Sequence, residues 1–355
     1  MNSKRQHTIH IAMQRSFFFN DLRMHSCIWI TCCIACLQSI YGQDLRFTQI
    51  HASETYLNPA FAGSSADTRF ILNFRDQWPN MPQTYVSYRA SFDDYFGALH
   101  SGIGLFAFQD NQGDDTYTTT NFGFQYMYQA RLGETMALNF GLQLNFGQIN
   151  INWTNLQFYD QIDLLYGFND VFGNPNPTGE PLPPSLHSNY FDIGSGALLI
   201  GKNFYFGFSA FHLTQPVISF YGDNTSQLPV SLSGQAGLKV FNEKKRNPLV
   251  FNPVAVYTFQ SGFQQISAGA YLKKNLLITG LFFKHNTQNL SDVSLCAGIT
   301  KDFFSFTYSY DIAAGDLAGL SGGAHEVSMI FSLPESKSGM ARKNQKNILD
   351  CPRVL

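Results

Sequence analysis

Charge is scarce in this chain: only 14% of its 355 residues are Asp, Glu, Lys or Arg, against about 25% in an ordinary soluble domain. With 44% hydrophobic residues it is also too apolar for a disordered chain. A long apolar run is missing as well. The longest nearly unbroken stretch, Cys27 to Leu37, falls short of the ~18 residues of a membrane helix, which excludes a helical membrane protein. The 23 basic and 25 acidic residues nearly cancel, so no broad basic field speaks for a nucleic-acid partner. No Asp-x-Asp-x-Asp-Gly loop, propeller blade repeat or evident Ser, His and Asp set occurs. We therefore expect no metal, no cofactor and no enzyme.

Aromatic residues are abundant, with 34 Phe and 17 Tyr. Lys4, Arg5, Arg15 and Arg23 precede the apolar stretch from Cys27 to Ile40, and Gly42 stands just before Gln43 and Asp44. This reads as a signal peptide over 1–42, removed before folding. Its loss takes four basic residues and one acidic, which moves the net charge from -2 to -5. It also takes four of the six cysteines, leaving Cys296 and Cys351. Lipid attachment at Cys36 is the weaker reading, because Cys33 stands where a Leu-like residue belongs.

From Thr68 onward the apolar pattern has period two. Met136, Leu138, Phe140, Leu142, Leu144 and Phe146 alternate with Ala137, Asn139, Gly141, Gln143, Asn145 and Gly147. Such strands have grease on one side and polar or minimal residues on the other. Fourteen segments of this kind lie between 68 and 333, most with the roughly 9 to 11 residues that a tilted strand needs to cross a bilayer. Short turns alternate with long connections, the longest being 149–188, 214–229 and 312–323. Outer-membrane barrels have short periplasmic turns and longer external loops. Lys and Arg gather in the short set and Asp in the long set, although good turn formers give a similar bias. The fold expected is all-β: a single antiparallel transmembrane β-barrel of about 14 strands at 68–333. A periplasmic arm or plug at 43–67 precedes it, and a basic periplasmic tail at 334–355 follows it.

Several residues stand out. Arg69, Arg75 and Arg89 fall on the inward register and suggest a polar network that closes the lumen, or alternatively an anion-selective lining, since buried guanidinium groups need oxygen partners. Trp78 falls at an external strand end, as an interface anchor or a cargo contact. Asp160, Asp163 and Asp170 lie in the 149–188 connection, which is too long for a mere link and reads as a cargo-facing or a lumen-occluding loop. Asn58-Pro59-Ala60 reads first as an ordinary turn into strand one, and alternatively as an arm docked in the lumen. His212 and His325 follow the lipid-facing register, away from any evident Asp partner, whereas Cys296 should face inward. Pairing of Cys296 with Cys351 would tie the tail to the barrel.

The start Gln43-Asp44-Leu45-Arg46-Phe47-Thr48-Gln49, followed by Tyr56-Leu57-Asn58-Pro59-Ala60-Phe61-Ala62-Gly63, resembles that of the PorP/SprF family of Bacteroidetes type IX secretion and gliding-motility proteins. Arg75-Asp76-Gln77-Trp78-Pro79 with Thr84, the Asp110 to Gly113 turn, His212-Leu213-Thr214-Gln215-Pro216, Tyr308-Ser309-Tyr310-Asp311, His325-Glu326-Val327 and the terminal Cys351-Pro352-Arg353 continue it in order. The chain departs from the pattern in ending Val354-Leu355 and in having Asn80-Met81-Pro82 after Trp78.

The resemblance implies an outer-membrane barrel that assists secretion or surface attachment of adhesin-like cargo. The partners it implies are outer-membrane lipid, cargo bearing a C-terminal sorting domain, and periplasmic secretion components. Cargo contacts would then fall at Trp78, Asp160, Asp163 and Asp170, and periplasmic contacts at Arg342, Lys343, Lys346, Cys351, Pro352 and Arg353. The competing expectation is a transporter or porin for hydrophobic or small solutes.

Overall fold

A computed structural model describes residues 44–65, 67–224, 226–240, 249–287, 291–314 and 319–333. Residues 1–43, which hold the expected signal peptide, and residues 334–355, with Arg342, Lys343, Lys346, Cys351, Pro352 and Arg353, lie outside the described residues.

The period-two segments become β1 (Thr68–Gln77), β2 (Tyr85–Phe96), β3 (Ser101–Gln112), β4 (Tyr117–Arg131), β5 (Ala137–Ile151), β6 (His187–Ile200) and β7 (Phe204–Phe211). They continue as β8 (Ser231–Leu238), β9 (Val250–Gln260), β10 (Phe263–Lys274), β11 (Leu277–Asn286), β12 (Ser291–Lys301), β13 (Phe304–Ala313) and β14 (Ala324–Leu333). Each pairs antiparallel with its neighbours in sequence, and β1 closes on β14 from Thr68↔Leu333 to Gln77↔Ala324. Closure removes every sheet edge, which a wall in hydrocarbon requires. The pleat sorts the side chains. On β5, Phe140, Leu142, Leu144 and Phe146 are exposed, whereas Asn139, Gln143 and Asn145 are buried against the interior.

The connections at one end are short, as at 97–100, 132–136 and 201–203, while the other end carries 152–186 and 212–230. We call these the short-turn and long-loop ends. β7 and β8 are shorter than the alternation suggests. β7 stops where His212 takes φ 58°, and β8 stops at Leu238, with pairing resumed at the isolated bridge Val240↔Phe251.

Residues 44–65 lie inside the barrel. Asp44 meets His212 and Gln260 at the long-loop end, Ala52 meets Asn73 midway, and Gly63 meets Asp93 at the short-turn end, next to the start of β1. The two ends of the segment are thus on opposite sides of the barrel. The segment is made of two 3-10 turns, Ile50–Ala52 and Pro59–Phe61, flanking the single helical turn α1 (Glu54–Leu57). Asn58 and Pro59 start the second turn, Pro with its fixed φ and Asn58 Oδ1 accepting from Ala60 N at 2.9 Å. The motif is therefore docked in the lumen and is not an ordinary turn into β1.

Apolar packing between segment and wall supplies the core. Ile50 and Leu57 cluster with Val254, Val256, Tyr271 and Phe282, and Phe61 clusters with Leu198, Ile200 and Tyr205. Cys296 belongs to the first cluster and faces inward.

Candidate functional site

A strand of irregular backbone inside a barrel must find partners for its N–H and C=O groups, and the inward face of the wall supplies them. Asn73 Nδ2 donates to Ala52 O at 3.2 Å, Gln125 Nε2 to Thr55 O at 2.7 Å, Ser209 Oγ to Leu57 O at 2.6 Å, and Asn139 Nδ2 to Ala60 O at 3.2 Å. Asn58 Nδ2 reaches Ala197 O, Phe208 O and Gln235 Oε1, each at 3.1 Å. Glycines let the backbones meet. A Cβ on Gly141 would lie 2.2 Å from Ala60 N, and one on Gly102 would lie 2.2 Å from Ala62 O.

Three arginines join the segment to the wall by different means. Near the short-turn end Arg69 bonds Asp93 at 2.9 Å and Glu54 at 3.2 Å, and Asp93 also accepts from Gly63 N. Toward the long-loop end Arg75 bonds Asp311 at 2.9 Å and Glu326 at 3.2 Å. Glu326 accepts the backbone N–H groups of Thr48 and Gln49 at 2.7 and 2.9 Å, and Lys284 adds a bond to Asp311 at 2.8 Å. Arg89 touches no carboxylate among the described residues. It donates to Thr55 Oγ1 at 2.8 Å and Ser91 Oγ at 2.9 Å, and its guanidinium lies 5.4 Å from the Phe106 ring centre. Sequence reasoning named neither Asp311 nor Glu326 as a partner of the inward arginines, although alternation in Tyr308-Ser309-Tyr310-Asp311 and in His325-Glu326-Val327 puts both on the inward parity. That signal could have found both carboxylates.

His212 departs from the expected lipid-facing position. Its positive φ turns the ring inward, where Nδ1 meets Asp192 at 2.9 Å and Nε2 meets Asp44 at 3.1 Å. Burial works against the imidazolium, but the two carboxylates outweigh it and raise the pKa to about 10. Burial likewise works against charge on Asp44, yet His212 and Arg46 hold its carboxyl well below the usual range. His325 stays on the outward register and meets Tyr308 Oη at 2.8 Å, while Glu326 beside it points inward.

Above the Arg75 cluster a cavity of about 310 Å³ opens among Asp44, Arg46, Trp78, Asp110 and Asp292. Trp78, at φ 61°, donates its N–H to Gly323 O and packs edge-on against Tyr85 at 5.3 Å. Arg75 and Trp78 therefore share one mouth. Asp160, Asp163 and Asp170 are away from it in the 152–186 loop and are occupied locally. Asp160 accepts from Thr178 Oγ1 and Gly179 N, Asp163 from Leu165 N and Tyr166 N, and Asp170 from Phe172 N and Asn174 N. Among the described residues no three His, Cys, Asp or Glu side chains converge as a metal site.

Known structures of similar shape are barrels. The toluene transporter TodX of Pseudomonas putida has 11% identity and a TM-score of 0.47, over 82% of this chain and 95% of that one. The toluene transporter TbuX of Ralstonia pickettii has 12% identity and a TM-score of 0.46, over 79% and 92%. The outer membrane protein Omp33 of Acinetobacter baumannii has 8% identity and a TM-score of 0.41, over 76% and 100%. At such values the likeness carries no argument about this chain. None of the curated protein sequences matches the chain. A closed antiparallel barrel with an apolar outer belt is a structure of the bacterial outer membrane. Residues 39–331 match the family described as type IX secretion system membrane protein PorP/SprF, and the chain belongs to that family.

Proposed function

We propose that this outer-membrane barrel assists type IX secretion by holding adhesin-like cargo at the cell surface through protein contacts, with its lumen closed by residues 44–65. The long-loop end faces outward and engages a secreted protein that carries a C-terminal sorting domain. The short-turn end faces the periplasm, where the tail 334–355 meets secretion components through Arg342, Lys343, Lys346 and the Cys351-Pro352-Arg353 ending. Residues 1–42 act as a signal peptide cleaved near Gly42.

The observation that carries this reading is the filled bore. From Phe47 to Ser64 nearly every residue is buried, and wall side chains from β1, β4, β5 and β7 take up its carbonyls. A solute pore needs a continuous water path, and an open channel would not bury these groups. The competing solute transporter is tested in planar bilayers. The full chain is expected to pass no steady current, and a stable open conductance would exclude a sealed scaffold. Deleting 334–355 is expected to leave barrel insertion intact while releasing cargo. Unchanged cargo attachment would remove the role given to the tail.

A further inference from the structure

The 152–186 loop is a built scaffold with two greasy tips. The first tip closes through Asp163 and Gly167, whose backbones exchange hydrogen bonds of 2.6 and 3.0 Å, and Asp163 Oδ1 accepts Leu165 N at 2.8 Å and Tyr166 N at 3.0 Å. The second closes through Asp170 and Asn174, with Asp170 Oδ1 accepting Phe172 N at 2.8 Å and Asn174 N at 2.9 Å. Gly167 and Gly173 take the positive φ values of 70° and 83° that these turns require. Asn176 sews the two together, donating from Nδ2 to Gln161 O at 2.7 Å and to Gly167 O and Asn169 O at 3.3 Å.

This framework holds up Leu164 at 100% exposure, Leu165 at 84% and Phe172 at 86%. A single exposed Leu needs no explanation. Three large apolar side chains at the summits of two pinned turns are another matter, because pinning them lowers the ordering cost of inserting them into a partner. The surrounding charge has one sign: the loop contains Asp160, Asp163, Asp170 and Glu180 and no Lys or Arg. Backbone N–H groups from Leu165 and Tyr166, and from Asn174, lower the pKa of Asp163 and Asp170 and keep them ionised.

We infer that Leu164, Leu165 and Phe172 are the anchors by which the barrel grips its partner, a secreted protein that presents an apolar cleft rimmed by Lys or Arg. This rests on the scaffold reading above and revises its chemistry. Asp163 and Asp170 position the anchors and steer the basic rim, while the apolar tips make the contact.

The test compares how one secreted protein with a C-terminal sorting domain divides between cell surface and medium in four strains. They carry wild-type barrel, no barrel, the triple variant Leu164→Ser, Leu165→Ser, Phe172→Ser, and Glu180→Lys, with barrel amount in the outer membrane checked by immunoblot. Loss of the whole barrel should release the protein into the medium. The triple variant should cut the retained share about tenfold at an unchanged barrel level, as truncating central anchors does. Glu180→Lys, which reverses one of the four negative charges of the loop, should lower retention less. Release without the barrel but normal retention by the triple variant overturns the anchors and leaves the scaffold reading standing. Retention that does not depend on the barrel at all overturns both. Unchanged or higher retention with Glu180→Lys overturns the basic rim. Conversion of a dimer to a monomer by the triple variant, with retention unchanged, would assign the tips to a second copy of this chain and overturn the proposal.

Discussion

Arg75 and Arg89 are both buried cations, yet they rest on different partners and should fail differently. Removing Arg75 takes away the cation that Asp311 and Glu326 share, leaving Lys284 on Asp311 and the Thr48 and Gln49 N–H groups on Glu326, and breaking a buried pair in this way costs about 3–5 kcal/mol. Arg89 leaves behind two hydroxyls and two rings, which tolerate its loss better. Arg75→Ala should therefore lower the urea midpoint of the barrel in lipid vesicles clearly more than Arg89→Ala. Equal midpoints would contradict the assignment.

His212 gives a pH prediction. Its pKa is raised from 6.5 to about 10, so its contribution to docking is complete below the ordinary value and is lost as pH rises through about 10. Asp44 has the opposite sign: its contribution exists above the usual carboxylate range and fades as pH falls through its lowered pKa. The latch between segment and rim should hold across the whole neutral range. Titrating the imidazole by NMR in micelles should give a midpoint near 10, falling toward 6.5 in Asp44→Asn. A midpoint indifferent to that substitution would break the link.

At the scale of elements, β5 offers the cleanest contrast because its two faces differ most. Leu142 is exposed on the outer face and Gln143, one residue on, is buried on the inner. Leu142→Arg should destabilise the barrel by up to about 2–4 kcal/mol, the cost of an Arg on a lipid-facing position at the midplane, read as a loss of folded, heat-modifiable barrel after refolding. A neutral outcome would argue that this face does not meet lipid. The 152–186 loop is an element of another kind, held by side-chain caps without a ladder to a neighbour. Asp163→Ala frees Leu165 N and Tyr166 N and should make the loop cleave faster in limited proteolysis, with the barrel left intact.

At the scale of the molecule, the barrel and its threaded segment form one closed object, and either part can be perturbed alone. Gly141→Val places a side chain where Ala60 N now sits, 2.2 Å from the added Cβ, and should displace the segment without touching the lipid face. In planar bilayers we expect a current from Gly141→Val and from a chain lacking 44–65, but none from the parent. A silent deletion variant that is inserted and folded would show that the segment is not what closes the bore.

The fourteen strands were legible because each lipid-facing position repeats the same instruction: Phe140, Leu142, Leu144 and Phe146 fix period and register through neighbours two residues away. Arg69 and Arg75 shared that legibility, since parity alone places them inward. His212 did not follow it, because one residue with positive φ ends the strand and reverses the side chain. Nor did the path of 44–65 show in its own residues. Its turns have no period, and its partners, such as Gln125 for Thr55 and Glu326 for Thr48, lie 70 and 278 residues away in the chain. The sequence by itself determined a greasy closed wall, since hydrocarbon acts on each strand locally. Tertiary structure decided what fills that wall and which groups meet at its mouth, because those pairings exist only once the barrel has closed.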